Sequence, residues 1–227
     1  MPEADTIHAD QQPNTQESLK SDLQTLGVRA GEVLLVHSSL SAIGWTCGGA
    51  TTVVAALLDF LGPAGTLVIP AHSAENTDPR HWEDPPVPEA WWPIIRECMP
   101  AFDAATTHCQ RMGKIADTFR AWPGVSRSAH PMGSYCALGP AAADVLRDHR
   151  IESPFGHHSP LQRLYDTGGR VLQLGTVSNS SLHLSEVHSG WCDRQPGKPE
   201  GSAMLVDGQR RWVEWIDPAS TTEDFRE

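Results

Sequence analysis

Apolar positions fall into two periods along this chain. Leu19, Leu23 and Leu26 recur at helical spacing, and Gly27 ends that helix. Val33 to Val36 is a short unbroken apolar run, the pattern of a buried strand. A strongly apolar stretch from Ala50 to Leu61, closed by Gly62-Pro63, predicts a buried helix, and Thr66 to Pro70 predicts the next strand. This is a β-α-β unit, so its two strands are expected to be parallel. Short helices are predicted from Trp91 to Met99, within Gly113 to Trp122, from Pro140 to about His149, and from Leu161 to Tyr165. Further strands are predicted at Ser134–Gly139 and Val171–Leu174. Met204 to Trp215 alternates and turns at Asp207-Gly208, a hairpin. Residues 1–15 are polar without period and read as disordered; residues 16–227 read as one domain. The expected fold is α/β, a mixed, partly parallel central sheet flanked by helices. The segment from Ala71 to about Pro88 fits no period, and its length marks it as functional.

Composition narrows the function. The chain has 227 residues, 39 % of them hydrophobic, with 28 acidic against 17 basic side chains and a formal net charge of −11. That balance argues against nucleic acid as a partner and favours a cationic ligand. No apolar run is long enough for a membrane span. The five cysteines are odd in number and widely spaced, with no CxxC, as in a reduced cytoplasmic protein. The 11 histidines contain no HExxH arrangement, so no metal is expected. Neither a Walker loop nor a dinucleotide fingerprint is present. Gly48-Gly49, ahead of a helix, could still approach a phosphate.

The candidate chemistry lies after the Val171 strand. Gly175 to Ser181 is rich in turn and cap residues, which places His183 in the first turn of a helix and Glu186 three residues on, on the same face. A first-turn position favours the neutral imidazole, and a carboxylate on its other nitrogen would steady the imidazolium that forms. Open α/β sheets build their sites at strand C-termini. His37-Ser38-Ser39 leaves one such end, and Ala71-His72-Ser73 followed by Glu75 leaves another. Arg111 and Lys114 flank Met112-Gly113 and form a basic site in an acidic chain. A serine hydrolase is a competing reading, although the GxSxG elbow is missing. A protein that binds its ligands without turnover is another.

Several ordered motifs together resemble the aminoglycoside 3-N-acetyltransferases. They are His37-Ser38-Ser39-Leu40-Ser41 with Ile43-Gly44, Pro70-Ala71-His72-Ser73, Trp82 with Pro85-Pro86-Val87-Pro88 and Trp91-Trp92, Met112-Gly113, Phe119 to Pro131, Gly156 with Ser159-Pro160-Leu161, and Ser181-Leu182-His183-Leu184 with Glu186. The resemblance covers about residue 17 to the end. It implies acetyl-CoA as co-substrate, a 2-deoxystreptamine aminoglycoside acetylated on its 3-amino group, antibiotic resistance as the outcome, and a fold unlike that of the GNAT acetyltransferases. On that basis His183 is the expected base and Glu186 its partner. His37, Ser38, Ser39, Met112, Gly113, Arg127, Ser128 and His130 are expected at the acetyl-CoA site, and Glu75 and Asp78 on the aminoglycoside. The protein is expected to be a cytoplasmic monomer or homodimer. The family pattern usually continues past a segment like Thr222 to Phe225. The hairpin face carrying Leu205, Trp212 and Trp215 is therefore expected to lack cover.

Overall fold

The computed structural model describes residues 6, 7, 12–218 and 220. Helix α1 (Gln16–Thr25) starts at Thr15, whose hydroxyl accepts the Ser18 N–H while the Ser18 hydroxyl accepts the Thr15 N–H. This capping box satisfies two donors that a helix start leaves open. Strand β1 (Val33–Ser38), helix α2 (Gly49–Leu61) and strand β2 (Thr66–Pro70) follow as the expected β-α-β unit. Then come α3 (Trp92–Cys98), α4 (Gly113–Arg120), β3 (Ser126–Arg127), β4 (Tyr135–Leu138), α5 (Ala142–Leu146), α6 (Pro160–Asp166), β5 (Arg170–Leu174), α7 (His183–His188), β6 (Lys198–Val206) and β7 (Gln209–Asp217).

The main sheet has the order β3-β4-β2-β1-β5. Strand β1 runs parallel to β2 and β5, while β4 is antiparallel to β2 and β3. The sheet is thus mixed and partly parallel. Alternation along its strands splits the core between two faces. Leu34, Val36, Leu67, Ile69 and Cys136 pack with the buried side chains of α1, α2 and α4. Leu35, Val68, Tyr135 and Ala137 pack with Val145, Leu161, Leu164 and Leu184 from α5, α6 and α7. Each leucine withdrawn from water here contributes roughly 1.5–3 kcal/mol.

The structure departs from the pattern-based expectations in four places. Helix α5 is only Ala142–Leu146 rather than reaching His149, because Arg147 turns extended and Asp148 takes a positive φ of 49°. The helix near Ser180 is split into a 3-10 turn, Ser180–Leu182, and α7. Asn14, within the segment read as disordered, is docked: its amide donates to the Ile43 carbonyl and its N–H to that of Trp45. The rest of that expectation, for residues 1–5 and 8–11, lies outside the described residues.

The fourth departure concerns the hairpin. Strands β6 and β7 are longer than predicted, and their inner face is covered by the irregular segment between β2 and α4. Phe102 N–H donates to Ala203, Asn76 to Ser202, Asp78 N–H to Glu200, and Arg210 to the Met99 carbonyl. Trp215 is buried, with its ring T-shaped against His130 from the β3–β4 loop, although Leu205 stays exposed.

Candidate functional site

Three parallel strands end together. Ser38 closes β1, Pro70 closes β2 and Leu174 closes β5, and the loops that leave these ends frame a cavity of about 880 Å³. Val36, His37, Ser38 and Ser39 form one wall, Pro70 and His72 another, and Thr176, Ser178 and Ser180 a third. Two helices begin at this cavity, α2 at Gly49 and α4 at Gly113, and no side chain caps either one. The Gly49 N–H is spent on the Thr46 carbonyl, but a helix start without a side-chain cap still favours an anion through its remaining first-turn N–H groups and its dipole. Gly48 takes a φ of 81° there, and a Cβ would lie 2.5 Å from the Thr52 hydroxyl, so only glycine fits. Lys114 adds positive charge on the same wall, as does Arg111, although the Arg111 guanidinium also donates to the Asp84 carbonyl and carboxylate.

His37 is buried at the end of β1. Its Nε2 accepts the Ser180 N–H at 3.2 Å, and burial pushes its pKa down to about 4. The ring is therefore neutral near pH 7, with its lone pair already engaged. Ser39 has its N–H spent on the Leu174 carbonyl, so its backbone has no donor left for a ligand in the cavity. Met112 and Gly113 line the cavity.

A second cavity, about 250 Å³, adjoins the first, and His72 is a wall of both. His183 and Glu186 line this smaller space with Phe155 and Asp217. Asn179 caps the 3-10 turn by accepting the Ser181 N–H, and this turn delivers His183 as the first residue of α7. His183 Nδ1 donates to Glu186 Oε2 at 2.8 Å, and the imidazole stacks on Phe155 at 5.0 Å between ring centroids. This hydrogen bond leaves the imidazole lone pair on Nε2. Glu186 is buried, so water weakens the pair little.

The remaining expected site residues lie elsewhere. Arg127 spends its guanidinium on the carbonyls of Ala71 and Thr107 and the Ser134 hydroxyl. The Ser128 hydroxyl accepts the Tyr135 N–H and contacts His149. His130 accepts the Met132 and Gly133 N–H groups on Nδ1 and donates from Nε2 to the Ile151 carbonyl. All three hold the loop between β3 and β4 and line neither cavity. Asp78 is corrected more sharply. It is fully buried and bound by Arg80 and Arg96. Burial raises its pKa, but the hydrogen bonds from these arginines outweigh that and hold it below the usual carboxylate range. It has nothing left for an aminoglycoside. Glu75 is exposed beside Ala74, a residue of the smaller cavity.

Sequence reasoning did not single out the cavity residues Phe155, Ser180 and Asp217, nor Tyr135 behind Ser180, and named His72 only within a strand-end cluster, without a site role. For His72 the signal existed, since it follows β2, the neighbour of β1 in a parallel pair. Tyr135, whose hydroxyl lies 3.3 Å from that of Ser180, sits in a strand that reads as core. Among the described residues no group of three or more His, Cys, Asp or Glu is placed to hold a metal ion, and no helix is long and apolar enough to cross a membrane.

The fold and site define an open α/β protein whose large cavity, at the start of two helices, adjoins a smaller one lined by a histidine–carboxylate pair. Residues 35–227 match the family model described as aminoglycoside 3-N-acetyltransferase, and the chain belongs to that family. It is 42 % identical over 218 residues to the prophage-derived aminoglycoside N(3')-acetyltransferase-like protein YokD of Bacillus subtilis (strain 168), covering 95 % of this chain and 79 % of that one. The crystal structure of YokD superposes with a TM-score of 0.91, covering 96 % of this chain and 81 % of YokD. Aminoglycoside N(3)-acetyltransferase IX of Micromonospora chalcea is 36 % identical, over 90 % of this chain and 73 % of its own. Two solved relatives, each 30 % identical, contain ligands. AAC-VIa bound to sisomicin has a TM-score of 0.77, with coverage of 92 % and 77 %. AAC-IIIb binary with CoASH has a TM-score of 0.79, with the same coverage.

Proposed function

We propose that this protein transfers the acetyl group of acetyl-CoA to the 3-amino group of a 2-deoxystreptamine aminoglycoside, by direct transfer with His183 as general base. The observation that carries this is the 2.8 Å bond between His183 Nδ1 and Glu186, in a small cavity that shares the His72 wall with a much larger one. AAC-IIIb binds CoASH and AAC-VIa binds sisomicin, which supports the same two ligands here.

The co-substrate supplies an activated acetyl group on sulfur. The larger cavity suits it: the first turns of α2 and α4, with Arg111 and Lys114, offer N–H groups and positive charge to phosphates. His72 and Ser180 line the end of this cavity where it approaches the smaller one. The acceptor amine is held in the smaller cavity before His183. Its nitrogen bonds to the acetyl carbonyl carbon, the carbon–sulfur bond breaks, and sulfur leaves with the electron pair as thiolate. The proton lost by the amine goes to His183 Nε2, and Glu186 stabilises the imidazolium. The proton then passes to the thiolate or to water.

The position of the product acetyl tests this reading. Incubation with carbon-13 acetyl-CoA and a gentamicin-type acceptor should give one N-acetyl group, on N3 by NMR, with no mass added to the protein. An acetyl group on another nitrogen, or an acetylated protein as the persistent product, contradicts it.

A further inference from the structure

One carboxylate at the smaller cavity has no role in the chemistry above. Asp217 ends β7 and faces the space that His183 and Glu186 line. It is only 4 % exposed, yet its Oδ1 is buried with no hydrogen-bond partner among the described residues. The Trp215 indole N–H pulls on this carboxylate and lowers its pKa, but the two fall short of hydrogen-bond geometry, so neither Oδ1 nor the indole nitrogen is fully satisfied. Lys198, opposite it in the ladder, lines the same cavity and attracts the carboxylate, but the two make no ion pair among those of the described residues. Burial pushes the Asp217 carboxyl up to about 6, against the pull of Lys198. Asp78 provides the contrast, since it is as deeply buried and has two arginines. A buried carboxylate without a partner costs stability, and such a cost persists where a ligand supplies the missing charge.

The ligand consistent with this cavity is a cation that hydrogen-bonds. About 250 Å³ lies below the usual range for a drug-sized ligand, so it takes one ring of an aminoglycoside rather than the whole molecule. A diamino ring has one amine to present to His183 and a second that stays protonated. We infer that Asp217 binds this second ammonium, and so positions the acceptor ring with its reacting amine toward His183. The inference rests on the proposed acetyl transfer for the identity of the ring, but the binding contact itself does not require turnover. In this role Asp217 also favours acceptors with two amines on one ring over monoamines.

The test compares wild-type protein with Asp217→Asn, which keeps the shape and removes the charge. In steady-state assays the aminoglycoside KM should rise roughly 10- to 100-fold, as expected for the loss of a charge-assisted contact. The acetyl-CoA KM should stay within about twofold. The Tm of the variant at neutral pH should be equal or higher, because an unpaired buried charge has been removed. A carboxylate that only holds the hairpin would instead give a lower Tm with an unchanged aminoglycoside KM. Calorimetric titration of both proteins with sisomicin, without acetyl-CoA, separates this inference from the proposed reaction. Weakened sisomicin binding by Asp217→Asn supports the contact even if no acetyl transfer is detected. Equal affinity for the two proteins, or no sisomicin binding by the wild type, overturns it.

Discussion

The base role proposed for His183 rests on one hydrogen bond. With Nδ1–H given to Glu186, the ring can take a proton only on Nε2, and the carboxylate offsets the charge that then forms. His183→Ala is expected to lower kcat by about 10²- to 10⁴-fold while leaving acetyl-CoA binding nearly unchanged. Glu186→Gln should cost less, since the acceptor nitrogen remains. A folded His183→Ala enzyme that keeps most of its rate removes the base from this position. His130 illustrates a histidine used for structure. It is 1 % exposed and fully hydrogen-bonded as a neutral ring, and burial pushes its pKa down to about 4. The unfolded chain binds its proton nearer pH 6.5. The stability that the neutral ring contributes is thus fully present above pH 6.5 and is lost as pH falls toward 4. His37, also held near pH 4, and His149, held well below its usual value by burial, act in the same direction. Asp217, raised to about 6, acts in the opposite one. The loss from His130 alone is of order 3 kcal/mol. Urea midpoints measured at pH 7, 5.5 and 4.5 should fall steadily; a flat series contradicts the neutral buried histidines.

At the scale of elements, the site depends on how closely two loops pass as they leave the sheet. Gly175, just after β5, has a φ of 71°, and a Cβ there would lie 2.8 Å from Ile43 and 3.0 Å from the Ser39 carbonyl. Gly175→Ala would push the 176–180 loop away from the β1 exit. We expect a loss of roughly 1–3 kcal/mol in stability and a raised acetyl-CoA KM, because Thr176, Ser178 and Ser180 line the larger cavity. Chemical denaturation and kinetics on the same preparation measure both, and an unaltered variant would show the loops to be compliant. The β-α-β unit and the His183–Glu186 spacing were legible in the sequence because both follow from local periods. The roles of Arg127, Ser128, His130 and Asp78 were not. Each is a polar residue in a motif, and its side chain is consumed by partners distant in sequence: Ala71 for Arg127, Ile151 for His130, Arg96 for Asp78. The cover of the hairpin was hidden for a similar reason. Met99 ends the helix predicted from Trp91 and Phe102 lies in the loop after it, and nothing in their local pattern shows that the folded chain brings them over β6 and β7.

For the molecule as a whole, the charge balance and the site make a joint prediction. The net charge of −11 attracts a polycation over distances that salt screens, whereas acetyl-CoA must meet local positive charge on a negative protein. Raising ionic strength from ~0.01 to ~0.15 M should increase the aminoglycoside KM severalfold and leave the acetyl-CoA KM flat or lower. A KM for both substrates that does not respond to salt would remove long-range attraction from the account. The two adjoining cavities, one suited to the anionic donor and one to the cationic acceptor, fit transfer within a single complex. The most direct measurement of that claim is release of free CoA thiol from acetyl-CoA by purified protein, with and without an aminoglycoside bearing a free 3-amino group. The account predicts release only when the antibiotic is present, matched mole for mole by acetylated product. Equal release in its absence would mean that water is the acceptor, and would contradict the acetyltransferase reading.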